Sequence, residues 1–433
     1  MVAAISLLTA LTSFATHCWI LFQFGAGSDS AAFFAAIVPP VMVYEIFTLT
    51  FSMVLVPLFS PLEPAARRRA AWSWTSLLTL AMVLPCAALI AGASLMVEVC
   101  FPGFSPATKE LARELFLPIS LALLPLAAIE GLSSGYRAGG RFIYPEFTSW
   151  ISSILSLLFL AALTDRWGIQ AAAGAFLLRS SAEFLLLALG WWPVFPRWSS
   201  LQFPLVLSRV KHLFLGSCVH RTDSLFDRYL TSYAAAGSVA LLAISRQLIH
   251  TSSRLLTRSI TWTCIPTLAR HAHDHDWNRF RTALAGRTRS ILAIAAVGIL
   301  LLVLCGPTLV PLLFQHGQMT AADTQSIFYL LLALSGTLVG ESLANLYCNA
   351  FYACGNTSVP TRLHIACYLL GLAFRGICFL WFGVLGTAIG LSVYYLLFAG
   401  LLMWQLRVSL RRQEHPVPAL PGAQRGRKVS HAV

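Results

Sequence analysis

The sequence predicts an all-α polytopic membrane protein of two pseudo-symmetric six-helix lobes around a central cavity. Three observations predict it: an apolar composition, charge segregated into alternate connections, and an internal echo at half the chain length. Of 433 residues, 57% are hydrophobic and 11% charged, with a mean hydropathy of +0.73. A water-soluble chain of this size could not bury so much apolar surface. The net charge of +13 would suggest nucleic acid in a soluble protein. Here the bases lie in loops, so membrane topology accounts for them and no nucleic-acid partner is expected.

Apolar runs of the roughly 20 residues needed to cross a bilayer fall at 2–24, 33–59, 72–100, 115–136, 143–164, 169–192, 206–233, 236–265, 290–314, 324–353, 362–382 and 384–406. The first begins at Val2 with no basic stretch or small-residue cleavage site, so it reads as a span rather than a signal peptide. Alternate connections hold Arg67–Arg69, Arg137, Arg141, Arg197, Arg209, Lys211, Arg270, Arg279, Arg281, Arg287, Arg289 and Arg362, and the tail adds Arg407, Arg411, Arg412, Arg425, Arg427 and Lys428. The opposite connections hold only Lys109, Arg113 and Arg166. Twenty against three places both termini in the cytoplasm. The expected organisation is a six-helix lobe over 1–192, a cytoplasmic link over 193–205, a second lobe over 206–406, and a basic disordered tail over 407–433.

The echo has three parts. Gly135-Tyr136-Arg137-Ala138-Gly139, then Pro145, resembles Phe351-Tyr352-Ala353-Cys354-Gly355, then Pro360. Gly168-Ile169 with Ala171-Ala172-Ala173-Gly174 matches Gly383-Val384 with Gly386-Thr387-Ala388 and Gly390. Ala26-Gly27-Ser28 parallels Ala236-Gly237-Ser238. The offsets lie between 210 and 216 residues. Two halves of even helix count keep the same orientation, related by an axis along the membrane normal. Such duplicated bundles suit alternating access, with the passenger held between the halves.

Charges at membrane depth then mark the pathway. In the eighth helix, Arg246, His250, Arg254 and Arg258 stand four apart, which stacks them on one slowly drifting face. Each arginine near the bilayer centre costs about 2.5–3.5 kcal/mol on insertion scales, so this face must meet water, protein acids or an anionic ligand. Snorkelling to the surface is the simpler reading for Arg258 and competes for Arg254. The seventh helix adds Arg221 and Arg228 on one face and Asp223 and Asp227 on another. Arg246, His250, Arg254, Arg258, Arg221 and Arg228 are the candidate substrate-binding residues; Asp223, Asp227, Arg375 and Glu45 are candidates for coupling or charge pairing. A cationic wall suits phosphate or pyrophosphate, which arginine grips through forked, charge-assisted hydrogen bonds.

An inside-negative potential favours outward movement of an anion, and no phosphate-binding lysine loop is present. An anionic-lipid exporter without ATP, without cofactor and without enzymatic chemistry is expected, acting as a monomer. Cys18, Cys86, Cys218, Cys264, Cys305, Cys367 and Cys378 lie in apolar runs and read as small hydrophobes. His271, His273, Asp274, His275 and Asp276 could suggest a metal or catalytic cluster, but beside five arginines they read as solvated loop; no metal site is expected.

The run Leu312-Leu313-Phe314-Gln315-His316-Gly317-Gln318-Met319-Thr320-Ala321-Ala322-Asp323-Thr324 resembles the lipid II flippase family, MurJ or MviN, of the multidrug/oligosaccharidyl-lipid/polysaccharide exporter superfamily. Asn349 to Thr357 with Pro360, Gly383 to Ala388, Phe24 to Gly27, Gly237 to Val239 and Ile265 to Leu268 extend the resemblance. It implies flipping of an undecaprenyl-pyrophosphate-linked saccharide across a bacterial inner membrane, with lipid II ahead of an exopolysaccharide or O-antigen unit. A MATE-like exporter shares the architecture, though its cationic substrates would want acids. A non-transporting scaffold is the reading from another class.

The sequence departs from the family on the substrate side. Ala10 and Thr16 stand where first-helix arginines are usual, and His17 where an acid is usual. Glu45-Ile46-Phe47 reverses a charge, Gln247 stands at the eighth-helix arginine, and two additional C-terminal helices have no counterpart. In sodium-coupled relatives the acid matching Asp227 binds the ion with eleventh-helix polar residues, which align with Gly371 and Arg375. The resemblance therefore implies that Arg375 replaces the ion and pairs with Asp227.

Overall fold

The computed structural model describes residues 2–191, 222–235, 237–356 and 358–414. Among these, nine helices are long and apolar enough to cross a membrane, with 358–411 counted as one. The first half runs α1 (Val2–Phe24), α2 (28–59), α3 (64–100), α4 (106–138), α5 (Ile143–Trp167) and α6 (Gln170–Leu189). The second runs α7, described over Asp223–Ser232, then α8 (238–273), α9 (Trp277–Phe314), α10 (Ala321–Ala353), α11 (358–382) and α12 (384–414). The expected link at 193–205 and the start of α7 lie outside the described residues.

Several helices run beyond their apolar windows because their ends are capped or packed. Ser105 accepts from the Thr108 amide at 3.2 Å and Asp276 from the Arg279 amide at 3.0 Å, opening α4 and α9. Thr320 and Asp323 satisfy each other's amides at the start of α10. Asp276 thus has a structural use within the His271–Asp276 stretch. α12 was expected to end at 406, with disordered tail beyond; instead it continues to Glu414, because Leu406 and Leu410, four apart, are both buried. Lys109 and Arg113, on the extended start of α4, meet Glu98 at 2.6 and 2.8 Å. The Lys109 hydrogen bond holds the Glu98 carboxyl below the usual range.

Large apolar side chains point outward as well as inward. Leu84, Leu304, Leu380 and Trp381 are all more than 60% exposed, which water would penalise and hydrocarbon does not. Cys305, read as buried from its apolar run, is exposed on this outer face. Hydropathy alone could not tell a lipid-facing cysteine from a core one.

The helices pack as two bundles, α1 to α6 and α7 to α12, which meet chiefly where α8 crosses α1 and α2. The duplication is visible in the backbone. Gly168 (φ 54°, ψ −143°) opens α6 and Gly383 (φ 57°, ψ −136°) opens α12, in the same left-handed turn that a side chain would disfavour. Gly140 and Gly355 share φ 73°, which moves the sequence match of Gly139 with Gly355 by one residue. Wider π-helical turns interrupt α2 at Glu45–Leu49 and α8 at Thr257–Thr261, again at related positions.

The bundles are closed against each other at the arginine-poor end by backbone-amide hydrogen bonds that repeat the same symmetry. The Gln318 amide donates to the Phe22 carbonyl at 2.8 Å, and the Gly103 amide to Ser232 Oγ at 3.3 Å. A Cβ at Gly317 would lie 2.0 Å from the Phe22 carbonyl oxygen, and one at Gly103 2.5 Å from that of Ser232. No side chain fits at either seam. Gly317→Val should therefore hold this end open. In sided proteoliposomes, a cysteine replacing Ser224 should react with an impermeant maleimide from the arginine-poor side in Gly317→Val and not in the parent; equal protection would show that the seam is not the barrier.

Candidate functional site

Asp223 and Asp227 lie one turn apart on α7, and two guanidinium groups close over them. Arg246 from α8 donates Nη2 to Asp223 Oδ2 at 2.9 Å and Nη1 to Asp227 Oδ2. Arg375 from α11 donates Nη2 to Asp223 Oδ1 at 2.5 Å and Nη1 to Asp227 Oδ1 at 2.8 Å. Each carboxylate thus gives one oxygen to each arginine, and the four form a closed ring of zero net charge. All four are buried, Asp227 and Arg375 completely. Gly390 leaves room for the stem of Arg375, and its guanidinium lies 5.5 Å from the Phe226 ring. Burial of any one charge alone would be prohibitive; the ring removes the imbalance.

This arrangement corrects the expectation that Arg246 offers its fork to a passenger. Both terminal nitrogens are held by protein carboxylates, because the acids read from sequence as a separate face of α7 point at α8. The pairing of Arg375 with Asp227 is present. The rest of the α8 row does not form one wall. His250 Nδ1 lies 3.1 Å from Glu341 Oε2, and Arg254 is exposed with its Nε on the His250 carbonyl. A four-residue step advances the helix by about 40°, so the row turns from buried Arg246 through half-buried His250 to exposed Arg254 in two such steps. Arg221 and the side chain of Arg258 lie outside the described residues.

A cavity of about 240 Å³ lies where the two bundles face each other. His17 of α1, Phe34 and Glu45 of α2, Arg228 of α7 and Gln247 of α8 line it. Arg228 follows Asp227 by one residue, a turn of about 100°, which sends it to the cavity rather than the ring. Its Nε donates to the Phe34 carbonyl at 3.2 Å, across the seam, while Nη1 has no hydrogen-bond partner. His17 Nδ1 is likewise buried without a partner. A buried donor left unmade costs about 1–3 kcal/mol, more when charged. Both atoms belong to residues that line this cavity. Sequence reasoning named Arg228, but had His17 and Gln247 only as departures from a pattern. Their signal was present as polar side chains within apolar helices; what it lacked was the knowledge that they face one space.

The chain's similarity to known proteins covers both bundles. The family described as lipid II flippase MurJ matches residues 22–420. A protein of Vibrio cholerae serotype O1 named "Probable lipid II flippase MurJ" is 24% identical over 417 residues, covering 90% of this chain and 79% of its own. Among solved structures, one titled lipid II flippase MurJ in an inward closed conformation superposes with a TM-score of 0.80 at 19% identity, over 95% of this chain and 89% of that one. An inward-facing multidrug resistance MATE family transporter gives 0.75 at 15% identity, over 94% and 95%. These likenesses fix the fold.

The ring yields a double-mutant test. Arg375→Met leaves a surplus buried carboxylate and should cost about 3–5 kcal/mol, read as a lower unfolding temperature of the purified protein. Adding Asp223→Asn restores the charge balance and should recover part of that loss. Strictly additive losses would mean the ring is not an energetic unit.

Proposed function

The chain belongs to the lipid II flippase MurJ family, and from that membership we propose that it carries an undecaprenyl-pyrophosphate-linked saccharide, lipid II, from the inner to the outer leaflet of a bacterial inner membrane. The observation that carries this reading is Arg228. Its Nη1 lacks a hydrogen-bond partner, as does His17 Nδ1, and both residues line a cavity shared by both bundles. A pyrophosphate would supply the missing acceptors.

In this reading the termini and the arginine-rich connections face the cytoplasm. The structure is then closed at its outer end, the state from which an inner-leaflet lipid is accepted. The cavity of about 240 Å³ has room for phosphate groups but not for a whole saccharide. Loading therefore requires the bundles to part at the arginine-rich end while the outer seam stays shut. The π-helical turns of α2 and α8 sit on two of the four helices that line the cavity, where an extra residue per turn lets a helix bend. The neutral ring keeps the second bundle rigid while this happens.

The ring also bears on energy coupling. Asp223 and Asp227 already hold two guanidinium cations, so a metal cation has no free carboxylate oxygen there. Transport is then driven by membrane potential acting on the anionic passenger, without sodium.

Two outcomes follow. Arg228→Ala should lower lipid II flipping on the order of tenfold to a hundredfold, with unchanged membrane abundance, and Arg228→Lys should keep part, lacking the fork. Complementation of a strain depleted of its lipid II flippase reads this out, and full activity of Arg228→Ala would remove the proposed contact. In reconstituted vesicles with potassium substituted for sodium, flipping should be unchanged; collapse on sodium withdrawal would overturn the coupling scheme.

A further inference from the structure

On the outer flank of the second bundle, at its arginine-rich end, α10 packs between α9 and α12 and leaves a groove of about 430 Å³. Arg281 and Arg289 line it from α9, Arg407 and Arg411 from α12. In each helix these residues are spaced by multiples of four, so both pairs face the same space. Arg289, Arg407 and Arg411 are exposed. Among the described residues, no acidic residue lines the groove. Its inner walls are apolar, formed by Leu284, Met403, Leu406 and Leu410, and the Thr288 and Tyr347 hydroxyls lie 3.4 Å apart within it.

We propose that this groove binds the headgroup of an anionic phospholipid of the surrounding leaflet, with one acyl chain continuing along α9 and α12. Three features select that occupant. The charge is complementary to a phosphodiester, which arginine holds through paired N–H donors. The apolar walls would go unused by free phosphate. Above the groove the same helices expose Leu292, Leu396 and Leu397, at 44%, 43% and 45%, as a track for hydrocarbon. Trp404, 61% exposed beside Met403, marks the headgroup level where interfacial tryptophans settle. Basic pockets between helices on the cytoplasmic side are a recurrent way of gripping anionic headgroups. No described residue of α7 or α8 lines this groove, and it shares no lining residue with the inter-bundle cavity.

Native mass spectrometry of the full-length protein tests the assignment, with dioleoylphosphatidylglycerol, dioleoylphosphatidylcholine and inorganic phosphate as probes. The parent should retain phosphatidylglycerol at least tenfold more tightly than phosphatidylcholine, and inorganic phosphate should not displace it. Arg289→Gln with Arg407→Gln should weaken phosphatidylglycerol by about fivefold for each arginine removed. Ala285→Trp, which fills the groove and keeps every charge, should weaken it comparably. Arg228→Ala should leave this binding intact, which separates the groove from the transport site. Equal retention of the two lipids, displacement by phosphate, insensitivity to Ala285→Trp or to the arginine pair, or loss in Arg228→Ala would each overturn the proposal.

Discussion

The structure depends on charge neutrality at membrane depth. Hydrocarbon offers no water to screen a guanidinium, so every buried cation must find an anion within the protein or in what the protein carries. Arg246 and Arg375 are answered by Asp223 and Asp227 in a ring where each group meets both of the opposite kind. The ring draws on α7, α8 and α11, so it ties together three helices that no apolar contact alone would hold in one register.

Arg228 matters because it is left over from that neutrality. It lies next in sequence to Asp227 yet belongs to the other space, the cavity between the bundles, where it reaches the Phe34 carbonyl across the seam. It is half-satisfied: Nε is held by Phe34 while Nη1 has no partner, and in the proposed function that nitrogen is the one that meets an anion. A transporter needs such groups, since a fully satisfied cavity would have no reason to bind and a wholly unsatisfied one could not stay closed. The division of labour is between a ring that fixes the scaffold and a cavity wall that remains incomplete.

The internal repeat places the moving parts. The seams at Phe22 with Gln318 and at Gly103 with Ser232 are copies of one contact, made from the end of the first helix of one half and the third-to-fourth connection of the other. A backbone amide donates in both, to the Phe22 carbonyl in one and to the Ser232 hydroxyl in the other. Such a closure is specific in geometry, because neither Gly317 nor Gly103 leaves room for a Cβ. The π-helical turns of α2 and α8 occupy related places in the two halves, which gives each half its own point of bending.

By itself the sequence determined the architecture, because the signals that set it are local or additive. Hydropathy marks spans, arginine counts mark alternate loops, and repeated glycines mark the turns at Gly168 and Gly383. The same local reading named Asp223, Asp227, Arg228, Arg246 and Arg375 as the charges that matter. The family resemblance anticipated the pairing of Arg375 with Asp227; only the fold brought Arg246 and Asp223 into the same ring. One helical step of about 100° separates a residue in the ring from one on the cavity, and the rotation of α7 against α8 is set by side chains spread over the whole bundle. Arg246 therefore turned from a ligand donor into a structural partner, and His17 from an unusual residue into a wall of the cavity.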